Sequence, residues 1–475
     1  MRSAIPLAVL AAIALAGCAS ARKPDVRLPA AYEAPASAAP AGSVALDRWW
    51  VNFNDPQLTG LIDQALVANP DARTAAARLR EARAARASAL LQFLPQGDAT
   101  ASTRQTQTDQ LSGTMANIPG FSTSGTSQAS SANFNVSWEV DLFGRVFAAS
   151  KAVGGDVAAA QFNYEGTRAS LAAQVADAYF LARGLAIQLA DQRETARIQR
   201  SLYDVATKRA AVGIAPTSDA DRIAGDLAQA EAQIVSLEGE LQVQRRLILI
   251  LAGRIVETTA NIGVTPEVGA LPPVPTSLPS ELLARRPDVR EALARIDSQL
   301  GREQAARLAI LPTLLFTPGL GWSKIEQPGF SSTTQTQTVG GSITAPVLSI
   351  PRLLADAKAQ GARTEQAVIA YEKAVQTAFS DSESALVRLD ADRRRVALLT
   401  DGEARAHRAF VASNIGYTRG LTDLQTTLSI EQSWRQTRTQ LTSAQVQALR
   451  GAVTAYKALG GGWPADKYIT QAQAR

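Results

Sequence analysis

The chain carries one cysteine and one histidine in 475 residues. Metal sites are usually built from clusters of Cys, His and carboxylate, and His is the commonest general base. Paired carboxylates remain open as catalysts, but the spacing singles out no pair, so neither an enzyme nor a metal site is expected. Aromatic residues are scarce at 5%, while Ala is abundant. That mix suits long, closely packed helices rather than one thick globular core. A basic block is missing too: the net charge of +5 is spread among alternating Lys, Arg, Asp and Glu. A solvated, salt-bridged helix surface accounts for it, and no nucleic-acid partner is expected. The apolar run from Ile5 to Ala16 is too short to cross a bilayer, but has the length of a signal-peptide core.

That run ends in Leu15-Ala16-Gly17-Cys18. The quartet resembles the lipobox of bacterial lipoproteins. The resemblance implies a signal peptide over 1–17 and a mature chain starting at Cys18, with diacylglycerol on the sulfur and a further acyl chain on the amino group. The plain alternative is an ordinary signal peptide with an incidental Cys. No Asp follows the Cys, which in lipoproteins of this kind favours release to the outer membrane. Several acyl chains give stable anchoring, at about 0.8 kcal/mol per buried CH₂. Residues 18–45, rich in Ala and Pro from position 21, read as a lipidated tether.

The rest of the chain runs one programme twice, over 46–255 and 279–459, joined by a linker at 256–278 and followed by a tail at 460–475. Each pass opens with a helical stretch (56–93, then 279–310) ending in Leu-Pro. Two strands follow (95–106 and 131–142; 312–325 and 334–347), separated by loops of Ser, Thr, Gly and Gln. A long helical hairpin closes each pass, with tips near 213 and 418. In the strands, Phe134, Val136, Trp138, Val140 and Leu142 alternate with Asn133, Asn135, Ser137, Glu139 and Asp141. Leu314, Phe316, Leu320 and Trp322, and Val339, Ile343 and Val347, alternate in the same way, so each strand has an apolar and a wet face. One strand alone would suit a half-buried soluble sheet. Four behind a lipobox suit lipid outside and water inside, with Glu139 and Asp141 in the lumen. In the helices, apolar or small residues at 171, 175, 178, 182, 185 and 189 step by four and three, a coiled-coil seam. Tyr371, Val375, Ala378, Ala385 and Leu389 repeat it, with Ser382 interrupting. Residues 147–211 alone would make about 100 Å of helix, a length that coiled coils and tunnels use.

A four-stranded sheet has two bare edges, which lipid cannot satisfy. Closure by association with further copies is expected. Two copies give eight strands and a filled interior; three give twelve and room for water.

Trp49-Trp50-Val51-Asn52-Phe53-Asn54-Asp55-Pro56, Ser137-Trp138-Glu139-Val140-Asp141-Leu142-Phe143-Gly144-Arg145, Leu283-Ala284-Arg285-Arg286-Pro287-Asp288 and Leu459-Gly460-Gly461-Gly462-Trp463 occur in that order. Together they resemble the signatures of TolC-like outer-membrane efflux proteins, in the lipoprotein branch. The resemblance implies an α+β membrane protein: a homotrimer with a twelve-stranded outer-membrane β-barrel, four strands per subunit. A long α-helical periplasmic barrel with an equatorial domain would continue it. The implied partners are outer-membrane lipid, a periplasmic adaptor (membrane fusion) protein and an inner-membrane RND-type pump, and the implied task is efflux of small toxic compounds. A type I protein secretion duct and a trimeric surface fibre are the alternatives.

The resemblance also places adaptor docking at the tips, Val212, Gly213 and Ile214 and then Gly420 and Leu421. Gly permits the turn, Pro216 stops the incoming helix, and Thr217 or Ser218 can cap the outgoing one. It implies a periplasmic gate in which Tyr417 bonds Asp219, though both could be solvated surface residues. Where relatives carry a ring of carboxylates and an Arg, this chain has Thr426, Ser429 and Thr422, with Asp423 the nearest acid. Weak cation selectivity is therefore expected.

Overall fold

The computed structural model describes residues 24–34, 46–109, 125–274, 279–327 and 329–462. Cys18 and the signal peptide lie outside them.

The first pass opens on a 3₁₀ turn, Trp49–Phe53, and two helices, α1 (Pro56–Ala68) and α2 (Pro70–Leu91). One helix over 56–93 was expected. Pro70 divides it, because proline disfavours helical backbone at the residue before it, and Asn69 is extended. Strands β1 (Gln96–Thr108) and β2 (Gly125–Val140) follow, then α3 (Arg145–Ala211, 67 residues) and α4 (Thr217–Leu251, 35 residues). The second pass begins with a short 3₁₀ turn, Pro279–Glu281, and a one-turn helix, α5 (Leu282–Arg285). It then repeats the first in order: α6 (Pro287–Leu308), β3 (Thr313–Gln327), β4 (Phe330–Thr344), α7 (Ile350–Thr418, 69 residues) and α8 (Leu424–Ala458, 35 residues). Helices α2 and α6 both have 22 residues and both begin with Pro.

The four strands form one antiparallel sheet in the order β1-β2-β3-β4. Among the described residues no strand covers the outer edge of β1 or β4. The register pairs Phe134 with Ala99 and Leu320, Trp138 with Phe316, and Val140 with Leu314, which pairs with Ile343. One face is thus apolar across β2, β3 and part of β4. β1 contributes only Gly97, Ala99 and Ala101 there, and the ring of Phe134 stands 3.2 Å from where a Cβ on Gly97 would lie. A large neighbour covers a small one, so β1 needs no large apolar side chain. The strand expected over 131–142 stops at Val140. Asp141 instead starts α3: its carboxylate accepts from the N–H groups of Phe143, Gly144, Arg145 and Val146 at 2.8–3.3 Å.

The chain divides into two compact units. The first contains the sheet, Arg80–Ala159 and Leu293–Ala370. Within it α3 and α6 meet backbone to backbone. A Cβ on Gly155 would lie 2.5 Å from the Ser298 nitrogen, and one on Gly301 would collide with the backbone of Ala152. Asp156 fixes the crossing through Ser298 Oγ (2.6 Å) and Arg302 (2.7 Å).

The second unit holds Asp25–Leu79, Ala160–Ala292 and the chain from Tyr371. The seam residues Leu171, Val175, Ala178, Ala182, Leu185 and Leu189 are all buried in its core, as are Tyr371, Val375, Ala378, Ala385 and Leu389. Ser382, which interrupts the seam, is buried as well. Its hydroxyl lies 2.9 Å from the carbonyls of Ala378 and Ala458, so it satisfies the C-terminal end of α8. The Trp49–Pro56 motif packs Trp49 on Tyr456 and Phe53 on Phe180. Asp55 caps α1 with one oxygen and takes Tyr179 (2.8 Å) and Arg183 (2.6 Å) with the other. Arg286 answers Asp288 (2.6 Å) and Asp381 (3.2 Å), so the Arg-Pro-Asp run pairs partly with itself at the start of α6. Residues 24–34 are not a free tether. The backbone N–H groups of Asp25, Glu33 and Ala34 donate to Glu372 and Glu383 of α7, and Tyr32 stacks on Phe379.

Replacing Gly301 with Leu should destabilise the protein by about 1–3 kcal/mol, because the crossing has no room for a side chain. Gly239→Ala, in open space on α4, should be neutral or slightly stabilising. Thermal unfolding of the two variants in detergent checks both.

Candidate functional site: the helix-hairpin tips

Helices α3 and α7 end in the same way. At the first tip Gly213 has φ +73°, its N–H bonds Ala210 O (3.0 Å), and Ile214 N–H bonds Arg209 O (3.0 Å). At the second, Gly420 has φ +76°, its N–H bonds Tyr417 O (3.0 Å), and Leu421 N–H bonds Gly416 O (2.8 Å). Both are Schellman caps, which need a left-handed residue and explain the two glycines. The turns leave Val212, Ile214 and Leu421 strongly exposed.

The outgoing helices differ. Pro216, not Thr217 or Ser218, occupies the cap position of α4, and no side chain caps that end. Pro fits because it has no N–H to satisfy. Asp423 caps α8: it accepts from Thr426 N–H (2.8 Å) and Thr426 Oγ (2.7 Å). Those bonds hold its carboxyl below the usual range. Asp423 and Thr426 are therefore brought together as one cap. Thr422 folds back onto Gly416, whose Cβ position it would occupy. Ser429 is exposed on α8.

Tyr417 is buried with Leu202, Ala206, Ala220, Ile223 and Leu428. Burial pushes its hydroxyl up; nearby Arg209 opposes this and the charge of Asp219 adds to it. The structure thus brings Tyr417 and Asp219 close enough to interact electrostatically. Among the described residues of this single chain, however, no hydrogen bond joins them. Arg209 takes that place: its Nη2 donates to Tyr417 O (2.9 Å) and its guanidinium lies 4.6 Å from the ring centroid. A charge-assisted bond and a cation–π contact together are worth a few kcal/mol. They tie the last turn of α3 to the last turn of α7. Arg209 was not anticipated, because nothing in its local sequence distinguishes it from other helix-surface arginines.

Glu431 was missed for a different reason. It is 0% exposed on α8, on the buried face that also carries Thr427 and Trp434. Neither carboxyl oxygen has a hydrogen bond, and Arg435 Nε, at 3.5 Å, is too far to supply one. Burial pushes its carboxyl up; Arg435 opposes that and Asp226 on α4 reinforces it. The steps of four and three from Thr427 to Glu431 to Trp434 were the signal available in the sequence. Glu139, expected in the lumen, lies on the polar face of β2 and pairs with Arg145 (3.0 Å).

The outer membrane efflux protein family model matches residues 61–254 and 278–461. The chain belongs to the outer membrane efflux protein family. OpmQ of Pseudomonas putida, a pyoverdine export outer membrane protein, is 30% identical over 466 residues, covering 96% of each chain. SilC of Salmonella typhimurium, a probable outer membrane lipoprotein, is 28% identical, covering 94% of this chain and 96% of SilC. Among solved structures, the outer-membrane channel OprN matches with a TM-score of 0.79 at 26% identity, over 94% of this chain and all of that one. The CmeC channel of Campylobacter jejuni matches with a TM-score of 0.82 at 20% identity, over 96% of this chain and 97% of CmeC.

A carboxyl raised by folding contributes full stability below its ordinary value of 4.5. It loses that contribution as pH rises through the folded value. Glu431→Gln should therefore be more stable than the parent at pH 8, with the gap closing toward pH 4. Thermal unfolding across that range checks it. A gap independent of pH would mean that Glu431 is ionised and paired with Arg435.

Proposed function

We propose that three copies of this chain form a lipid-anchored outer-membrane duct that exports small toxic compounds or small exported metabolites. The observation that carries this is the sheet itself: apolar on one face, polar on the other, with two uncovered edges. In lipid every backbone N–H and C=O must be paired, so such a sheet is stable only when closed. Three copies supply twelve strands and a water-filled interior lined by Asn133, Asn135, Ser137 and Glu139. Acyl chains on Cys18 would hold each subunit at the membrane.

The exposed tip residues Val212, Ile214 and Leu421 support docking of a periplasmic adaptor, with an RND-type inner-membrane pump supplying the cargo. Arg209 and Tyr417 would act as the latch between hairpins at that end, with Asp219 alongside. The pyoverdine-export relatives support a second cargo class, exported metabolites of the pyoverdine kind.

Planar-bilayer recording of the purified, acylated protein tests the duct. Discrete conductance steps are expected, with only weak cation selectivity; strong cation selectivity that survives Asp423→Asn would contradict this reading of the tip. Arg209→Ala should lengthen the open time. Absence of steps in both the parent and Arg209→Ala would contradict a duct.

A further inference from the structure

Among the buried polar atoms without a hydrogen bond are both carboxyl oxygens of Glu431, Nε of Arg435 and the amide oxygen of Gln199. Glu431 is 0% exposed and Gln199 1%, so surface water answers neither. Helix register brings these residues together. On one side Asp191 of α3 pairs with Arg438 of α8 at 2.5 Å. On the other, Leu202 and Ala206 of α3 cluster with Leu428 of α8. The two helices therefore run antiparallel here. Gln199 lies about 12 Å along α3 from Asp191, and Glu431 about 10 Å along α8 from Arg438, at 1.5 Å per residue. Gln199 thus stands level with Glu431 across the α3–α8 seam.

Two charges act on Glu431. Arg435, one turn on, holds its Nε 3.5 Å away, beyond hydrogen-bond reach. Asp226 of α4 opposes a second negative charge. From α3 the level presents uncharged Gln199 and Thr195, with Asp191 already taken by Arg438. From α7, Ser413 bonds Thr427 (3.1 Å), Glu403 accepts the Trp434 indole N–H (2.8 Å), and His407 lies against that ring. An ionised Glu431 would set its two acceptor oxygens against a third on Gln199, with no donor between them. A neutral Glu431 supplies the donor. Its O–H can donate to Gln199, and Arg435 Nε need close by only about half an ångström to donate to the other oxygen. Two hydrogen bonds then answer all four atoms.

A cavity of about 240 Å³ lies alongside, between α3, α4 and α8, lined in part by Asp191, Thr195, Leu237, Arg435 and Arg438. It is polar and large enough to hold water, which gives Glu431 a route for proton exchange one turn away.

We propose that Glu431 is a proton-binding site whose carboxylic acid O–H donates to Gln199 and ties α3 to α8 behind the tips. When the proton passes to water in the cavity, a buried carboxylate faces the Gln199 oxygen and the tie is lost. On the duct reading given above, opening then becomes easier as the solution at the tips turns alkaline.

Infrared difference spectra of the full-length protein in lipid vesicles, titrated between about pH 5 and pH 9, test the tie above the range of ordinary carboxyls. A protonated-carboxyl band is expected at neutral pH. Glu431→Gln should remove it, and Gln199→Leu should shift it, because the O–H loses its acceptor. Arg435→Gln should keep it, which leaves the test readable even if Glu431→Gln fails to fold. A band that appears only in Arg435→Gln would mean an ion pair in the parent and overturn the proposal. A band removed by Glu431→Gln but unmoved in Gln199→Leu would overturn the contact with α3. In planar bilayers the open fraction should rise with pH in the parent and stay flat in Glu431→Gln. An equal rise in both would overturn the link to opening. Absence of steps in both would count against the duct alone, since the infrared bands decide the tie.

Discussion

An unpaired backbone amide in lipid costs several kcal/mol, and among the described residues the four-stranded sheet has two edges with no partner strand. That constraint organises the proposed account. It makes the apolar face of the sheet useful only after closure, and closure requires further copies. A monomeric protein with these strands would have to bury the face carrying Phe134, Trp138, Phe316 and Leu320. Among the described residues nothing does so.

Elsewhere helix ends and several buried polar side chains find partners by a few repeated devices. The helix ends at Gly213 and Gly420 use one cap, and those at Gly253 and Gly460 use it again, each with a pair of backbone bonds around a left-handed glycine. Repetition of the cap at a constant offset is the structural trace of the duplication. Buried polar side chains act on the same principle: Ser382 and Arg286 serve the carbonyls of Ala378 and Ala458, and Asp55 serves a helix start, a tyrosine and an arginine together. Glu431 is a fully buried carboxyl group whose two oxygens have no hydrogen bond, with only Arg435 Nε 3.5 Å away.

Much of this was legible in the sequence because periodicity is a direct consequence of geometry. The strand faces, the heptad seams, the two passes and the tip glycines each follow from a spacing. Boundaries were less legible. The 56–93 helix breaks at Pro70 and β2 stops at Val140, because capping by Asp141 outcompetes two more strand residues. The site was legible only in part. Gly213, Gly420 and their exposed apolar neighbours are local features, and a sequence shows them. The Arg209–Tyr417 contact joins residues 208 apart, and no local pattern encodes such a pairing. Asp423 was read only as the acid nearest the expected gate; that it also caps α8 through Thr426, three residues on, is a motif present in the sequence but outweighed by the resemblance.

The most direct test of the central constraint is the number of chains per particle in the protein extracted from cell envelopes in mild detergent, measured by light scattering. Three chains, held together without added crosslinker, is the predicted result. A stable single chain that keeps its sheet in lipid would contradict the account, since its strand edges would then be facing hydrocarbon unpaired.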